Sequence, residues 1–170
     1  MQPDDFACPK RGTIANYETG GKVQYLGTSE NDPYNCQKID LWGKRVGSLF
    51  NYYGVEKADY PNVRTALLNL FTRQSPSAVF VYVSLANRGQ YKDTWRFLRR
   101  ETVFVGSRKI EADVFERHNK GQLGNPHHSI WTLWLDPRSG IWIKTRVSVV
   151  SGNAAGVTPP GGDVTSISDP

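Results

Sequence analysis

A chain of 170 residues lies within the usual range for one domain and can bury a two-layer core without metal or dense disulfides. Its 21 basic and 16 acidic residues leave a net charge of +5, spread along the chain with no long basic run or RNA-recognition motif, so nucleic acid is not implied as a partner. The longest apolar runs, such as Ala78 to Val83, fall far short of the roughly 20 residues a membrane-crossing helix needs. The 12% share of Trp, Tyr and Phe favours strands, which accommodate these side chains on pleated, half-buried surfaces.

The start, Met1-Gln2-Pro3-Asp4-Asp5, lacks the basic and apolar regions of a signal peptide and reads as a mature chain whose export signal has been removed. Cys8 and Cys36 each lie among turn-forming residues and look like the two ends of one closed loop, which implies a disulfide and an oxidising compartment, periplasmic or secreted. Short strands broken by glycine follow, over residues 13–18, 22–26, 38–42 and 48–53, with Gly20-Gly21 as a hairpin signal. Next comes one helix: Asp59 can cap it, Pro61 suits its first turn, and Val63, Ala66, Leu67, Leu70 and Phe71 share one face.

From Ser77 onward the pattern is a β-meander, with strands over residues 79–85, 94–105, 109–117, 129–135 and 141–150 and turn chemistry between them. In the second of these, Arg96, Arg99 and Arg100 break the alternation of faces. At least one arginine therefore needs a carboxylate, with Glu101, Glu111 and Asp113 as candidates. Beyond Ser151 the chain is Gly, Pro, Ser, Thr and Ala with hardly an apolar residue, which predicts a disordered tail over 151–170 after a single β-rich domain over 1–150. The fold class expected is mainly β: a strongly curved antiparallel sheet, a half-barrel-like meander, with one helix packed on it.

No nucleophile elbow, phosphate-binding loop, zinc-protease motif or dinucleotide fingerprint is present, so no catalytic residues and no cofactor are implied. Adjacent His127 and His128 would point apart on an extended segment, and a metal would need ligands from elsewhere. Glu116 and His118 share one strand face, and Glu111 and Asp113 the other. The last hairpin is more informative. If Leu135 pairs with Ile141, then Leu133 with Ile143 and Trp131 with Thr145 form a core face. The other face carries Trp134 opposite Trp142, Thr132 opposite Lys144 and Ile130 opposite Arg146. Trp134, Trp142, Lys144, Arg146 and Ile130 would together suit a ligand with an apolar body and an anionic part. The inference depends on register, since a one-residue slip swaps the faces.

Leu70-Phe71 before the first long strand, Asp93-Thr94-Trp95 leading into Thr102-Val103-Phe104-Val105-Gly106, and Trp134-Leu135-Asp136-Pro137 with Gly140-Ile141-Trp142-Ile143-Lys144 form an ordered set of features. Over roughly residues 68–150 this order resembles uncharacterised bacterial periplasmic and lipoprotein-type β domains related to the lipoprotein-carrier half-barrel. Leu135-Asp136 departs from the Tyr-Ala of that family's turn, and its Pro-Ala-Gly turn is missing between Lys109 and Val114. The resemblance implies an envelope location and an apolar groove, with no catalytic residues to carry over. Two functions follow as expectations: binding of an amphipathic or apolar ligand, such as a lipid or acyl group, in the groove of the sheet, or attachment to an anionic envelope polymer or partner protein through the basic aromatic face.

Overall fold

Glycine and turn residues divide the N-terminal third into four strands, β1 (Ile14–Tyr17), β2 (Lys22–Ser29), β3 (Asp32–Ile39) and β4 (Arg45–Leu49). These are seen in a computed structural model that describes residues 6–152 and 161–170. Gly20 closes the first hairpin at a φ of 90°, with its N–H donating to Tyr17 O, as the Gly-Gly pair implies. β3 starts earlier than its sequence suggests, at Asp32-Pro33. Irregular register between Thr28 and Ser29 leaves residues 33–35 unpaired with β2, so the missing N–H of Pro33 forfeits no ladder bond there. The residues after Leu49 turn sharply, with Phe50 and Asn51 at positive φ, and do not continue a strand.

A fifth strand completes this sheet from the far end of the chain. β10 (Val164–Ser168) pairs antiparallel with β1, giving the order β10-β1-β2-β3-β4. The disordered tail expected over 151–170 is therefore corrected at this segment, while residues 153–160 lie outside the described residues. Val164 and Ile167, the two apolar residues of β10, both point into the core. Their spacing of three would put them on opposite faces of a regular strand, and the bulge opposite Asn16 and Tyr17 turns both inward. Cys8 and Cys36 form the expected disulfide, Cα atoms 5.3 Å apart, which fastens the N-terminal segment to β3. Closing a loop of this length is worth about 3.5 kcal/mol in lost unfolded-state entropy.

The helix α1 (Tyr60–Phe71) buries Val63, Leu67, Leu70 and Phe71, the face read from their spacing. Asp59 precedes it but makes no cap hydrogen bond of its own; its carboxylate accepts from the Val83 N–H at 2.8 Å and so ties the helix start to the next strand. That strand opens a second sheet, β5 (Ser77–Val83), β6 (Gln90–Val105), β7 (Arg108–Gly121), β8 (His128–Asp136) and β9 (Ile141–Ser151), in unbroken meander order. The protein is thus mainly antiparallel β with one helix, as composition and pattern imply, and its strands are divided between two sheets.

Alternation along β7 shows how the layers stack. Phe115 faces a core made with α1, Leu49, Phe50 and Tyr53, while Ile110, Ala112 and Val114 face a second core made with Ala15, Val23, Tyr25, Val164 and Ile167 of the first sheet. The second sheet is sandwiched near its β6–β7 turn and carries the helix on one side. Away from that turn its other side is open. The broken alternation in β6 is a bulge between Phe97 and Arg99, and each arginine finds a carboxylate: Arg96 with Glu116, Arg99 with Glu101, Arg100 with Asp113.

β10 should carry real stability. Ile167→Ala removes a buried side chain from the second core and is expected to cost about 2 kcal/mol, and a chain ending at Gly152 should melt markedly lower than the full chain. Thermal and urea unfolding followed by circular dichroism check both; an unchanged midpoint for the truncated chain would show that β10 contributes nothing.

Candidate functional site

The β8–β9 hairpin decides where the expected binding residues stand. Its closing pair is Asp136 with Ile141, not Leu135 with Ile141. The cause is local. The Asp136 carboxylate accepts from Arg138 N and Ser139 Oγ, and its carbonyl accepts from Gly140 N, so Asp136 closes the turn instead of belonging to it. Leu135 then lies opposite Trp142, and a bulge between Trp134 and Leu135 places Trp134 opposite Lys144.

This register separates the two tryptophans. Trp134 is buried in the second core, donates from Nε1 to Glu101 at 2.5 Å and lies under Lys144 Nζ, 4.7 Å from the ring centroid. Trp142 packs against the first core beside Trp95 and Phe115 and donates from Nε1 to the Phe50 carbonyl at 3.0 Å. The shared aromatic face expected from Leu135–Ile141 pairing is therefore corrected: both rings serve as core. Arg146 is held by Asp163 through two contacts of 2.8 and 2.9 Å. Ile130 stands apart on the open side of the sheet, between His118 and Ser148.

The helix side of the sheet contains a buried ion pair that the sequence reading passes over. Arg117 Nε donates to Asp93 at 2.7 Å, its other nitrogens donate to Tyr52 and Tyr82, and Asn119 donates to the second Asp93 oxygen at 2.7 Å. Tyr53 also donates to Asp93, and Trp95 donates to Tyr53. Burial raises the phenol pKa of Tyr52, Tyr53 and Tyr82, so they remain neutral donors. Burial works against the Arg117 charge, but Asp93 and the surrounding phenols outweigh it and hold the guanidinium protonated. Among the described residues the one buried side-chain polar atom without a partner is Ser48 Oγ, elsewhere in the fold. A network so completely satisfied acts as a clamp. The signal was in the alternation: Asp93 shares a face with Trp95, and Arg117 and Asn119 share one with Phe115.

A second polar group lies between the sheets. Lys38 Nζ donates to Asn51 Oδ1 at 3.1 Å, and Asn51 donates to Tyr25 and to the Gly140 carbonyl. Burial lowers the Lys38 pKa to about 8, although Asp40 acts in the other direction.

The open side of the second sheet presents a polar surface that spans all five of its strands. Cross-strand rows run Val81, Lys92, Lys120, His128 and Val79, Thr94, His118, Ile130, with Arg96, Glu116, Thr132 and Arg146 beside them. Glu116 is occupied by Arg96 at 2.9 Å and by His118 at 3.1 Å. Lys92 and Lys120 stand directly opposite one another, both exposed and with no carboxylate partner among the described residues. Val79 and Val81 are exposed along its edge. His127 and His128 point to opposite sides, His127 toward Ser129 and Tyr91, as the extended backbone implies.

Fold and surface together define a two-sheet antiparallel β protein with a cationic sheet face. No family model and no curated protein matches the chain. Among solved structures it is similar to the hypothetical lipoprotein YmcC from Escherichia coli K12, at 10% sequence identity over 90% of each chain, with a TM-score of 0.48. None of the described helices is long and apolar enough to cross a membrane.

Two outcomes follow for the buried groups. Arg117→Met leaves the Asp93 carboxylate buried without its counter-charge and should cost about 3–5 kcal/mol, while pairing it with Asp93→Asn should cost less than the two single changes summed. For Lys38, a folded pKa near 8 beneath an unfolded value near 10.5 means that stability is reduced below pH 8 and rises as the pH climbs from 8 toward 10.5. The buried tyrosines act oppositely above pH 10, where the unfolded state ionises first. Unfolding free energies from urea titrations between pH 7 and 10 should therefore rise by on the order of 2–3 kcal/mol, and Lys38→Met should abolish that rise.

Proposed function

We propose that this chain is an exported protein that attaches to an anionic polymer through the open face of its second sheet. The observation that carries the reading is the Lys92–Lys120 pair. Like charges set directly opposite on adjacent strands repel and weaken the sheet, and no carboxylate among the described residues relieves them. An external anion does. Lys92 and Lys120 carry the unpaired charge of this face, since Arg96 is neutralised by Glu116 and Arg146 by Asp163, and the imidazoles of His118 and His128 adjoin them. Strands about 4.8 Å apart present such charges at intervals that a polymer with repeating carboxylate or phosphate groups can follow. The disulfide supports a location outside the reducing cytoplasm, in the periplasm or beyond.

Binding of a lipid or acyl group in the groove of the sheet draws less support. The helix side, where such a groove would lie, is filled by Phe71, Phe115, Trp95 and Trp142. A cleft of 1050 Å³ beside Cys8 mixes Ile110 and Pro137 with the charged side chains of Lys10, Arg108, Glu111 and Asp169, so it offers an alkyl chain no continuous apolar wall.

Retention on an immobilised polyanion, read as the NaCl concentration that elutes the protein, tests the proposal. Lys92→Glu with Lys120→Glu should weaken binding at least tenfold without lowering the melting temperature, and a neutral polymer should retain neither protein. Burial and the nearby Lys120 lower the His128 pKa, so the imidazole is neutral at pH 7 and gains charge on acidification; retention should strengthen from pH 7 to pH 5. Elution of the double variant at the wild-type salt concentration would defeat the reading.

A further inference from the structure

His118 on β7 and His128 on β8 project from the same open face, two positions apart along the ladder, because His118 pairs with Ile130 and Lys120 with His128. Diagonal neighbours of this kind lie within reach of long or ring-bearing side chains. These two meet. His118 Nδ1 stands 3.3 Å from His128 Nε2, with the ring centroids 5.5 Å apart and the planes inclined by 34°.

The far nitrogen of His118 sets the chemistry of the near one. Nε2 lies 3.1 Å from Glu116 Oε1, and a carboxylate accepts, so the proton sits on Nε2 and the lone pair of Nδ1 is directed at His128. Without a ligand, His128 Nε2–H donates to that lone pair. If the His128 proton moves to its own Nδ1, both near nitrogens present lone pairs, and rotation of the two half-buried rings turns them from facing one another to a shared point beside the N–N line. Two nitrogens bound at about 2.0–2.1 Å to a tetrahedral ion stand roughly 3.3–3.4 Å apart, which is the separation found here.

We infer that His118 and His128 are the two protein donors of an open site for a borderline divalent ion such as Zn2+ or Cu2+, with Glu116 orienting His118 from behind. Imidazole suits these ions, and a carboxylate behind a ligating histidine is the usual outer partner. No third His, Cys, Asp or Glu completes a cluster among the described residues, so water would fill the remaining positions of the ion. The charged groups facing the site are Glu116 with its partner Arg96, and Lys120 and Lys92 in the adjoining row. Lys120 opposes a cation, and its removal should help. His127, despite adjoining His128, takes no part, since its Nε2 is engaged with Ser129 Oγ at 2.9 Å.

Calorimetric titration of the untagged full chain with Zn2+ alone, and then with Cu2+ alone, at pH 7.5 tests the site. One ion per chain is expected, with binding weakened at least tenfold by His118→Ala and by His128→Ala, weakened by Glu116→Gln, unchanged by His127→Ala and tightened by Lys120→Gln. These are surface changes, and circular dichroism verifies that each variant is folded. Wild-type affinity in His118→Ala or His128→Ala, a loss in His127→Ala equal to theirs, or no binding of either ion at 1 mM would each overturn the inference. No polyanion enters the titration, so its result is independent of the attachment proposed above.

Discussion

The Asp93–Arg117 pair is the constraint around which the second sheet is organised. Burying opposite charges is costly unless their remaining hydrogen-bonding capacity is met, and here Tyr52, Tyr53, Tyr82 and Asn119 meet it. The contributors come from the segment after β4 and from β5, β6 and β7. A one-residue slip of β7 against β6 would swing Arg117 to the open side and leave Asp93 alone in the interior. Register across three strands is thereby fixed by a penalty, where apolar packing alone tolerates many arrangements.

With that register set, the division of labour between the two sides of the sheet follows. The helix side takes Phe115 and the aromatic residues around it. The opposite side gives its β6–β7 end to the first sheet and leaves the remainder to water. The disulfide and β10 secure the first sheet from its two ends, at Cys36 in β3 and along β1. Cationic residues gather where no layer covers the sheet, on a polar face bounded by the edge valines on one side and Arg146 on the other. Its histidines stand within a cationic neighbourhood, which biases His128 toward the neutral, lone-pair-bearing form.

Much of this was legible in the residues themselves, and the exceptions have physical causes. The helical spacing of Val63, Leu67 and Leu70, the alternating runs after Ser77 and the turn contexts of Cys8 and Cys36 each point to what is found, because each is a local pattern. The Trp134–Trp142 face was misread because Asp136 to Gly140 can count as four or five turn residues, and only the capping by the Asp136 side chain decides between them. β10 was missed because its partner is remote and its composition is that of a loop. Asp93 and Arg117 are polar residues at core positions, so alternation alone places them inside but cannot say what satisfies them. His118 and His128 meet through register, which no short window of sequence contains.

The pairing of β10 with β1 has a kinetic side. Asn16 and Ser166, hydrogen-bonded across this pair, are 150 residues apart in the chain, whereas β1 and β2 meet through a tight hairpin. Contacts so remote are slow to form, because loop-closure entropy is lost before any contact repays it. During folding the outer edge of β1 therefore stands open after its neighbours have assembled, and an open edge is a template for another chain. The slowest step of folding and the greatest exposure to misassembly coincide at one short strand, so refolding yield should depend on protein concentration through β1 more than through any residue of the polar face.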